Sequence, residues 1–593
     1  MPRASLHLTR SVAEAGWLYG QRIKPYLEWA PPYRAGNPDG THHGDLALPM
    51  TDSLTRRSLV AAMHAELAPY HQLLEQLEAE ALRGHLSLRV LAARVFPFRR
   101  GLLRWLAMVV DAVSGLSGGP LLSALYRLEQ RGDPQLQALM RQLRHAASRP
   151  LQQMCWQWMQ TARLEDPHDE FFIGRTDQSG HEGELRPERR PCFLAPAVAA
   201  RMLGIGGSRA FLQRYAAPGT APAAPTTHTD IWPDSAPLLR HLAQQVDVRQ
   251  WLLAPPQRLV QHLEAHRAFV LLLDGEFCTM LMDTLADELS QRTADLSHSV
   301  MAGAVSAAVR TCSADHADRP WAQEVDERLD VSLLAESATP DRGWDAFALT
   351  YTFPEPVARV LTAHWESRAF RQAPQFMWML RRAQFGLDRA WLDMQKLHQA
   401  VMRWCTGHRP RDTQTAPELS VLQRCWRMRQ QLAEFVQKLL QQVCRCGLEP
   451  AWQRLLQQLQ RPVPDADVEE VKRVLAAYRQ HVIAAVHLDG DAAAEDHRER
   501  AGSSLPALQA TLRLVFRFLT LYRGIHFRTE QRIRTLGYDD PVSVVNDLAE
   551  LDTALQQLHR EWHTQHLPPL QTAWQRSARK SVRQLAQQLA SPT

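Results

Sequence analysis

The segment Asp341–Pro354 constrains the fold most, because it has the pattern of a β-strand in a chain whose other long segments have the pattern of helices. From Phe347 to Phe353, four aromatic or aliphatic residues alternate with alanine and threonine, and this period of two predicts a half-buried strand or hairpin. Gly343 and Pro354 bracket the alternation, as turn and breaker residues do. We therefore predict an all-α protein of elongated tandem helical bundles, with a small β-hairpin insertion in its C-terminal half.

Composition and charge argue against two classes of partner. The chain has 593 residues, of which 45% are hydrophobic and 22% are charged, and its formal net charge is only +5. Basic residues are interleaved with acidic residues and glutamine, so no continuous stripe for a nucleic-acid backbone is predicted. The longest apolar stretches are too short, or carry charge, to span a bilayer. We expect neither a nucleic-acid partner nor membrane insertion.

Cysteine usage and the N-terminal residues predict a soluble cytoplasmic protein. The eight cysteines include Cys155 and Cys278, which lie inside apolar helical patterns, as expected of buried thiols in a reducing compartment. The first ten residues, MPRASLHLTR, contain no apolar core of a signal peptide.

Helical periodicity covers most of the chain. Apolar residues recur every three or four positions across 59–77, and a second helical stretch covers 86–113, with Pro97 as a predicted break. Asp133-Pro134 and Arg149-Pro150 are interpreted as the starts of two separate helices, because proline suits a first helical turn. Further helical faces follow at 193–215, 259–281, 376–391, 432–443, 508–527 and 544–589.

Several segments are predicted to be irregular. Residues 216–227 (AAPGTAPAAPTT) read as a low-complexity linker, and the main domain boundary is placed just after it, at about residue 245. Residues 174–190 are polar and charged and are interpreted as an exposed loop. The polar insertions at 406–417 and 489–504 are interpreted as mobile loops.

Several short motifs resemble functional sites but lack the neighbouring residues that such sites need. Leu203–Arg209 is rich in glycine, but no strand precedes it and no Gly-Lys-Ser/Thr follows, so we interpret it as a helix–helix turn rather than a phosphate loop. Cys444 and Cys446 are too close for a zinc knuckle and lack a second pair of ligands. The histidines of Thr41–Gly44 and of His64–Glu66 have no matching partners either. No metal site and no cofactor is predicted.

No catalytic arrangement stands out from the background. Asp166, Asp169 and Glu170 could act in acid–base chemistry, but carboxylates at a helix end are more often caps and surface charges. Tryptophans at helical spacing, such as Trp156, Trp378 and Trp391, are interpreted as core residues. The chain is predicted not to be an enzyme.

Five sequence blocks in a fixed order resemble the gamma-tubulin complex components, a family defined by two tandem grip regions. The first block runs from Asp133 to Ile173, with a Gly-Asp-Pro helix start, a paired tryptophan and the stretch LEDPHDEFFI. The resemblance covers most of residues 11 to about 485, whereas the closing helices match only in pattern. The other blocks are Phe193–Tyr215, RAFVLLLDGEFCTMLMDTLADEL at 267–289, RLDVSLL to GWDAFALTY between 328 and 351, and FMWMLRRAQFGLDRAW at 376–391 with the helix at 432–443.

Within this family the chain is most similar to the component 3 branch, on Ala15–Leu18 and SLVAAMHAELAPYHQLLEQLE at 58–78. Members of that branch usually carry a long N-terminal extension that receives helper proteins of the MOZART type. This chain begins close to the shared part, and the sequence leaves open whether helper proteins bind through such an extension. Glu276 stands where the family typically has aspartate.

The resemblance implies a structural subunit of a gamma-tubulin complex, which templates microtubules at microtubule-organising centres such as spindle poles. It implies that residues 1–245 form an N-terminal grip region that contacts paralogous components laterally, and that residues 246–593 form a C-terminal grip region that binds gamma-tubulin. Such a role needs stiffness and broad surfaces, because prior ordering of subunits removes part of the entropy cost of starting a polymer. The candidate gamma-tubulin-binding residues are Leu273, Gly275, Glu276, Phe277, Arg381 and Arg382.

Two other classes of function stay open at this point. A helical tethering or scaffold subunit of another large complex would have a similar composition, but no strand island. An enzyme with a dispersed site would show a deep polar pocket with shifted carboxylates.

Overall fold

The computed structural model describes residues 3–28, 53–131, 133–175, 183–216, 236–314, 322–333, 343–361, 365, 367–407, 417–461, 467–487, 505–535, 542–577 and 579–590. The described residues form helices and two small antiparallel sheets, which confirms the predicted all-α class with a β-hairpin in the C-terminal half. The linker at 216–227, the insertions at 406–417 and 489–504, and the histidines of Thr41–Gly44 lie almost wholly outside the described residues.

The chain divides into two compact units. The first comprises Met1–Val248 together with Val463–Glu469, and the second comprises Arg249–Pro462 together with Glu470–Thr593. The elements that begin before residue 248 are α1 (Arg3–Trp17), α2 (Lys24–Glu28), α3 (Leu54–Leu82), α4 (Leu88–Phe98), α5 (Arg104–Val113), α6 (Gly118–Glu129), α7 (Pro134–Thr161), β1 (Ile173–Arg175), β2 (Gly183–Leu185), α8 (Pro196–Tyr215) and α9 (Ala236–Gln245).

The elements from residue 248 onward are mostly long helices around one hairpin. They are α10 (Val248–Leu253), α11 (Leu259–Ala265), α12 (Gly275–Leu285), α13 (His298–Ala314), α14 (Ala322–Arg328), β3 (Leu329–Leu333), α15 (Gly343–Ala346), β4 (Phe347–Tyr351), α16 (Glu355–Val360), α17 (Arg368–Gly407), α18 (Pro417–Gln441), α19 (Glu449–Gln460), α20 (Val468–His487), α21 (Leu505–Thr535), α22 (Val542–Glu561), α23 (Leu567–Gln575) and α24 (Lys580–Ala590).

Prolines inside helices have two different outcomes. Near Pro97, α4 widens into a π-helical turn at Arg99–Leu103 and continues as α5, so the predicted break is a local widening. Pro150 instead lies inside α7, which runs unbroken from Pro134 to Thr161, so the predicted helix start at Pro150 is wrong. Helix α7 packs against α3, α6 and α8, and this packing outweighs the hydrogen bond that proline cannot make.

The predicted helix start at Asp133-Pro134 is confirmed. The Asp133 carboxylate accepts hydrogen bonds from the backbone N–H groups of Gln135 and Leu136, at 3.0 and 3.4 Å. Two of the N–H groups that a helix leaves unpaired at its start are therefore satisfied. Further along the same helix, Trp156 is buried as predicted.

The glycine-rich segment lies in the interior of α8, so the predicted helix–helix turn is wrong. A Cβ atom on Gly206 would lie only 2.1 Å from Nε1 of Trp158, and one on Gly204 would lie 2.3 Å from a carboxylate oxygen of Asp467. The glycines therefore allow α8 to approach its neighbours closely. That packing gain offsets the usual cost of glycine in a helix, about 1 kcal/mol relative to alanine.

The acidic cluster after α7 is structural. Glu170 is buried, and its carboxylate accepts hydrogen bonds from the backbone N–H and the hydroxyl of Thr55, at 3.2 and 3.1 Å. The Thr55 hydroxyl in turn accepts the N–H of Gly118 at 2.9 Å. Asp166 accepts the N–H groups of Glu170 and Phe171, at 2.9 and 2.8 Å. These contacts connect the starts of α3 and α6 to the loop before β1.

Two hairpins interrupt the helices. In the segment predicted as an exposed loop, β1 and β2 pair with Ile173 opposite Leu185, which corrects that prediction for the described part. In the second unit, β4 lies within the predicted strand segment and pairs with β3, with Leu329 opposite Tyr351. Gly343–Ala346 forms the short helix α15 rather than strand.

Burial separates the cysteines into two groups. Among the described residues, Cys155, Cys278, Cys312 and Cys425 are buried, whereas Cys192 and Cys446 are exposed. Burial raises the pKa of the Cys278 thiol to about 12, so this thiol stays protonated at neutral pH. No helix in the described ranges is both long enough and apolar enough to cross a membrane.

Candidate functional site

The first part of the candidate site is the tight loop between α11 and α12. Helix α11 ends in a π-helical turn at His266–Val270, and Leu272 then adopts a left-handed conformation with φ of 55°. The Asp274 carboxylate accepts the N–H groups of Glu276 and Phe277, both at 3.1 Å, and so caps α12. Gly275 and the following glutamate are left exposed at the start of that helix.

Arg381 of α17 holds this loop in place. Its Nε donates to the carbonyl of Leu272 at 3.0 Å, and one terminal nitrogen donates to the carbonyl of Leu273 at 3.4 Å. Its other terminal nitrogen donates to the side-chain oxygen of Gln384 at 3.1 Å. The planar guanidinium thus bridges two neighbouring carbonyls, which a lysine cannot do with the same geometry.

Phe277 and Arg382 are placed differently from the rest of the predicted set. Phe277 is fully buried, and its ring lies edge-on to Phe269 with a centroid distance of 4.9 Å. Arg382 pairs with Asp345 at 2.6 Å and lies over the ring of Phe516 at 4.2 Å. The structure therefore brings Leu273, Gly275, Glu276 and Arg381 together at the loop, leaves Phe277 beneath it in the core, and directs Arg382 elsewhere.

Arg382 lies in an open groove of about 1780 Å³, which we call the α17–α21 groove and which was not predicted from the sequence. Residues of α17, α21 and α22 line it, together with α15 and the end of β3. Its apolar lining includes Leu333, Trp344, Phe385, Phe516 and Leu519. Its arginines are Arg371, Arg382, Arg389, Arg513, Arg517 and Arg523.

The arginines of the α17–α21 groove fall into two electrostatic groups. Arg382, Arg389 and Arg517 have acidic partners, at 2.6, 3.8 and 2.8 Å respectively. Arg371, Arg513 and Arg523 are exposed and have no side-chain hydrogen bond or ion pair with any described residue. The spacing of Arg513, Arg517 and Arg523 on one helix was a signal in the sequence, but it is equally typical of an ordinary solvated face.

A smaller polar cavity of about 460 Å³ adjoins the α11–α12 loop. Leu273 and Asp274 line it from the loop side, and Arg445 lines it from the π-helical turn that precedes α19. Arg267 and Glu449 form an ion pair at its edge. The described residues contain no cluster of three or more side chains suited to bind a metal ion. The charged side chains that line both cavities can bind a partner by charge and shape.

Comparison with known proteins decides the family. The model described as gamma tubulin complex component N-terminal matches residues 1–301, and the model described as gamma tubulin complex component C-terminal matches residues 259–591. The chain belongs to the gamma-tubulin complex component family. The C-terminal match extends to residue 591. The similarity to the family therefore includes the closing helices, for which the sequence alone showed a match only in pattern.

Individual relatives agree with this family and with the component 3 branch. The chain is 28% identical to the gamma-tubulin complex component 3 homolog of Xenopus laevis over 487 residues, covering 76% of this chain and 50% of that protein. It is 28% identical to gamma-tubulin complex component 3 of Homo sapiens, covering 83% and 53%. It is 26% identical to the spindle pole body component alp6 of Schizosaccharomyces pombe, covering 64% and 48%. The chain thus spans about half the length of these relatives.

Proposed function

We propose that this chain is a non-catalytic structural subunit of a gamma-tubulin complex that templates microtubule nucleation. In this proposal residues 246–593 bind gamma-tubulin, and residues 1–245 contact paralogous components laterally. The observation that carries the proposal is the succession of the two family regions in one chain, at 1–301 and 259–591. The β3–β4 hairpin, which a tethering scaffold was not expected to contain, speaks against that alternative.

We further propose that the protein acts in the cytoplasm at microtubule-organising centres, including spindle poles. A relative named as a spindle pole body component supports the location at spindle poles. Binding of gamma-tubulin and of neighbouring components needs ordered surfaces and no cofactor, because the gain comes from holding subunits in register.

The α11–α12 loop is the surface we propose for gamma-tubulin. Its exposed edge consists of Gly275 and Glu276, and it is fixed by the Asp274 cap and by Arg381. A loop that is already ordered loses little conformational freedom when a partner binds, so more of the contact energy appears as affinity. Leu273 completes the edge and Phe277 supports it from the core, whereas Arg382, which was predicted with them, lies in the α17–α21 groove.

Capture of purified gamma-tubulin by the immobilised full chain tests this proposal. We expect wild-type protein to retain gamma-tubulin and Glu276→Lys to retain at least tenfold less, because the substitution reverses the charge of the exposed edge. Glu188→Lys is the matched control, since Glu188 is exposed in the first unit and undergoes the same charge change. Absence of capture by wild-type protein contradicts the function, whereas undiminished capture by Glu276→Lys contradicts only the surface.

The full chain is needed for this test. Val463–Glu469 belongs to the first unit although it lies far along the chain. Its contacts include a hydrogen bond of 3.2 Å from the N–H of Val468 to the hydroxyl of Ser208. Fragments cut at residue 245 would therefore not reproduce the two units. Chemical cross-linking of the full chain to a paralogous component, read by mass spectrometry, tests the lateral contact, and cross-links confined to residues beyond 245 would refute it.

A further inference from the structure

We propose that the α17–α21 groove binds an acidic peptide segment of a partner protein, and that this segment also carries apolar side chains. The inference goes beyond the proposed function, because neither its argument nor its test involves gamma-tubulin.

Three arginines leave the groove with unbalanced positive charge. Arg371, Arg513 and Arg523 line the groove, are exposed, and make no side-chain hydrogen bond or ion pair with the described residues. Guanidinium groups pair best with carboxylates, through two parallel hydrogen bonds. Three such groups around one concave surface favour a ligand with several carboxylates.

The paired arginines shape the groove instead. Arg517 is tied to Glu561 of α22 at 2.8 Å, which fixes one wall. Arg382 is tied to Asp345 and covers Phe516, which fixes the floor. Because these two cations and Arg389 already have acidic partners, the ligand is expected to depend on Arg371, Arg513 and Arg523.

The floor of the groove is apolar. Leu333 is 40% exposed, and Phe385, Phe516 and Leu519 are half-buried in the groove lining. A ligand that is only charged would leave this surface in water, whereas apolar side chains at intervals would bury it. The ligand therefore combines carboxylates with aliphatic or aromatic residues.

The length of the groove suits a short segment. Arg371 and Arg389 are 18 residues apart on α17, or about 27 Å at roughly 1.5 Å per residue. Arg513 and Arg523 are 10 residues apart on α21, or about 15 Å. These lengths correspond to about 5 to 8 residues of extended peptide, or to about 10 to 18 residues of helix.

A nucleic acid fits the same groove less well. Asp287, Asp345 and Asp393 lie among the lining arginines. Their charges would repel a continuous phosphate backbone, whose binding depends on uninterrupted cationic contacts. A peptide can place its carboxylates beside arginines and its apolar residues elsewhere.

Fluorescence anisotropy with the full chain tests the proposal. The probe is a fluorescein-labelled 16-residue peptide of glutamates with leucine or phenylalanine at every fourth position, and its counterpart has glutamine in place of glutamate. We expect the glutamate peptide to bind with a Kd in the micromolar range and the glutamine peptide at least tenfold more weakly. Added salt should weaken the glutamate complex, because exposed ion pairs are screened.

Two pairs of substitutions locate the binding. Arg513→Glu with Arg523→Glu should weaken binding of the glutamate peptide at least tenfold, and the milder Arg513→Gln with Arg523→Gln should weaken it severalfold. Arg83→Glu with Arg89→Glu is the matched control, since both residues are exposed in the first unit, and its binding should stay within twofold of wild type. Circular dichroism establishes that each variant is folded.

Three results would overturn the proposal. They are failure of the glutamate peptide to bind wild-type protein, an equal loss in the control pair, and unchanged binding by both groove variants. Tighter binding of a single-stranded oligonucleotide that depends on Arg513 and Arg523 would also overturn it, by assigning the groove to nucleic acid. None of these results bears on gamma-tubulin capture, so the two proposals can fail separately.

Discussion

Two pairs of packed helices have a glycine where they cross, but one crossing is buried in a core and the other borders an open groove. In the first unit, Gly206 of α8 lies against the indole of Trp158 in α7, within a buried core. In the second unit, Gly386 of α17 lies against Leu519 of α21, where an added Cβ would be 2.4 Å from a methyl carbon. That pair borders an open groove lined by arginines. A glycine therefore sets how closely two helices approach, and the residues around it determine whether the contact is buried or borders an open groove.

The largest expected effect on stability is at the buried crossing, where Gly206 meets Trp158. Gly206→Ala forces a Cβ into a rigid indole, and overpacking of this kind should lower the free energy of unfolding of the first unit by about 2–3 kcal/mol. Gly207 is the matched control, because a Cβ there meets nothing within 4 Å, and Gly207→Ala should stabilise the helix by about 0.5–1 kcal/mol. Hydrogen exchange of peptides from α7 and α8, read by mass spectrometry, measures both. Equal protection in the two variants would contradict a tight crossing.

The second-largest expected effect is a loss of stability of the second unit in acid. His266 is buried between the rings of Phe353 and Phe370, and burial lowers its pKa to about 4. Because its unfolded pKa is near 6.5, the unfolded chain binds the extra proton between these values, so stability falls as pH drops through this window. At pH 5 the loss should be about 2 kcal/mol in the second unit.

Denaturant unfolding at pH 7 and pH 5 checks this prediction, with hydrogen exchange to resolve α17 from α7 and α8. His266→Phe keeps an aromatic ring that cannot take up a proton, so it should remove most of the acid effect in the second unit. The same pH dependence in this variant would assign the effect to other groups. The crossing of Gly206 and Trp158 should show no comparable change, since neither side chain titrates.

Replacing either of two adjacent arginines of α17 by alanine should lower stability, but by different amounts. Arg381→Ala leaves the carbonyls of Leu272 and Leu273 without these donors, which should lower stability by about 1–2 kcal/mol and increase exchange in the α11–α12 loop. Arg382→Ala removes an ion pair whose aspartate is 41% exposed, and should cost less than about 1 kcal/mol. Thermal unfolding of both variants checks the order, and a larger loss for Arg382→Ala would reverse the roles given to them.

The smallest effect on stability is expected at the open crossing, where Gly386 meets Leu519. In Gly386→Ala the new Cβ meets the methyl end of Leu519, a flexible side chain that can rotate toward the groove. The loss should therefore stay below about 1 kcal/mol. Denaturant unfolding beside Gly206→Ala measures the difference directly. A loss as large as that of Gly206→Ala would mean that the two crossings are equally rigid.

Much of the fold could be predicted from local pattern. The alternation from Phe347 to Phe353 predicted β4, and Asp133-Pro134 predicted the start of α7, because strand period and helix capping are properties of a few neighbouring residues. Pro150 and the glycines of α8 were misread because tertiary packing overrides local preference at those positions. The β1–β2 hairpin was missed because its strands have only three residues each.

The candidate site was harder to predict for a different reason. Arg381 and the loop it supports are 108 residues apart in sequence, and the α17–α21 groove combines residues from Ala286 to Leu558. A single sequence shows each arginine as one polar position on one helix. Only the pairing of the helices shows which arginines share a concave surface and which already have acidic partners.

The exposure of the cysteines has a practical consequence. Cys192 and Cys446 lie in different units, and among the described cysteines they are the exposed ones. Their thiols are open to maleimide dyes, while the raised pKa of buried thiols such as Cys278 slows that reaction. The native chain therefore carries a pair of attachment points for donor and acceptor fluorophores, and energy transfer between them can report in solution whether the distance between the two units changes when gamma-tubulin is added.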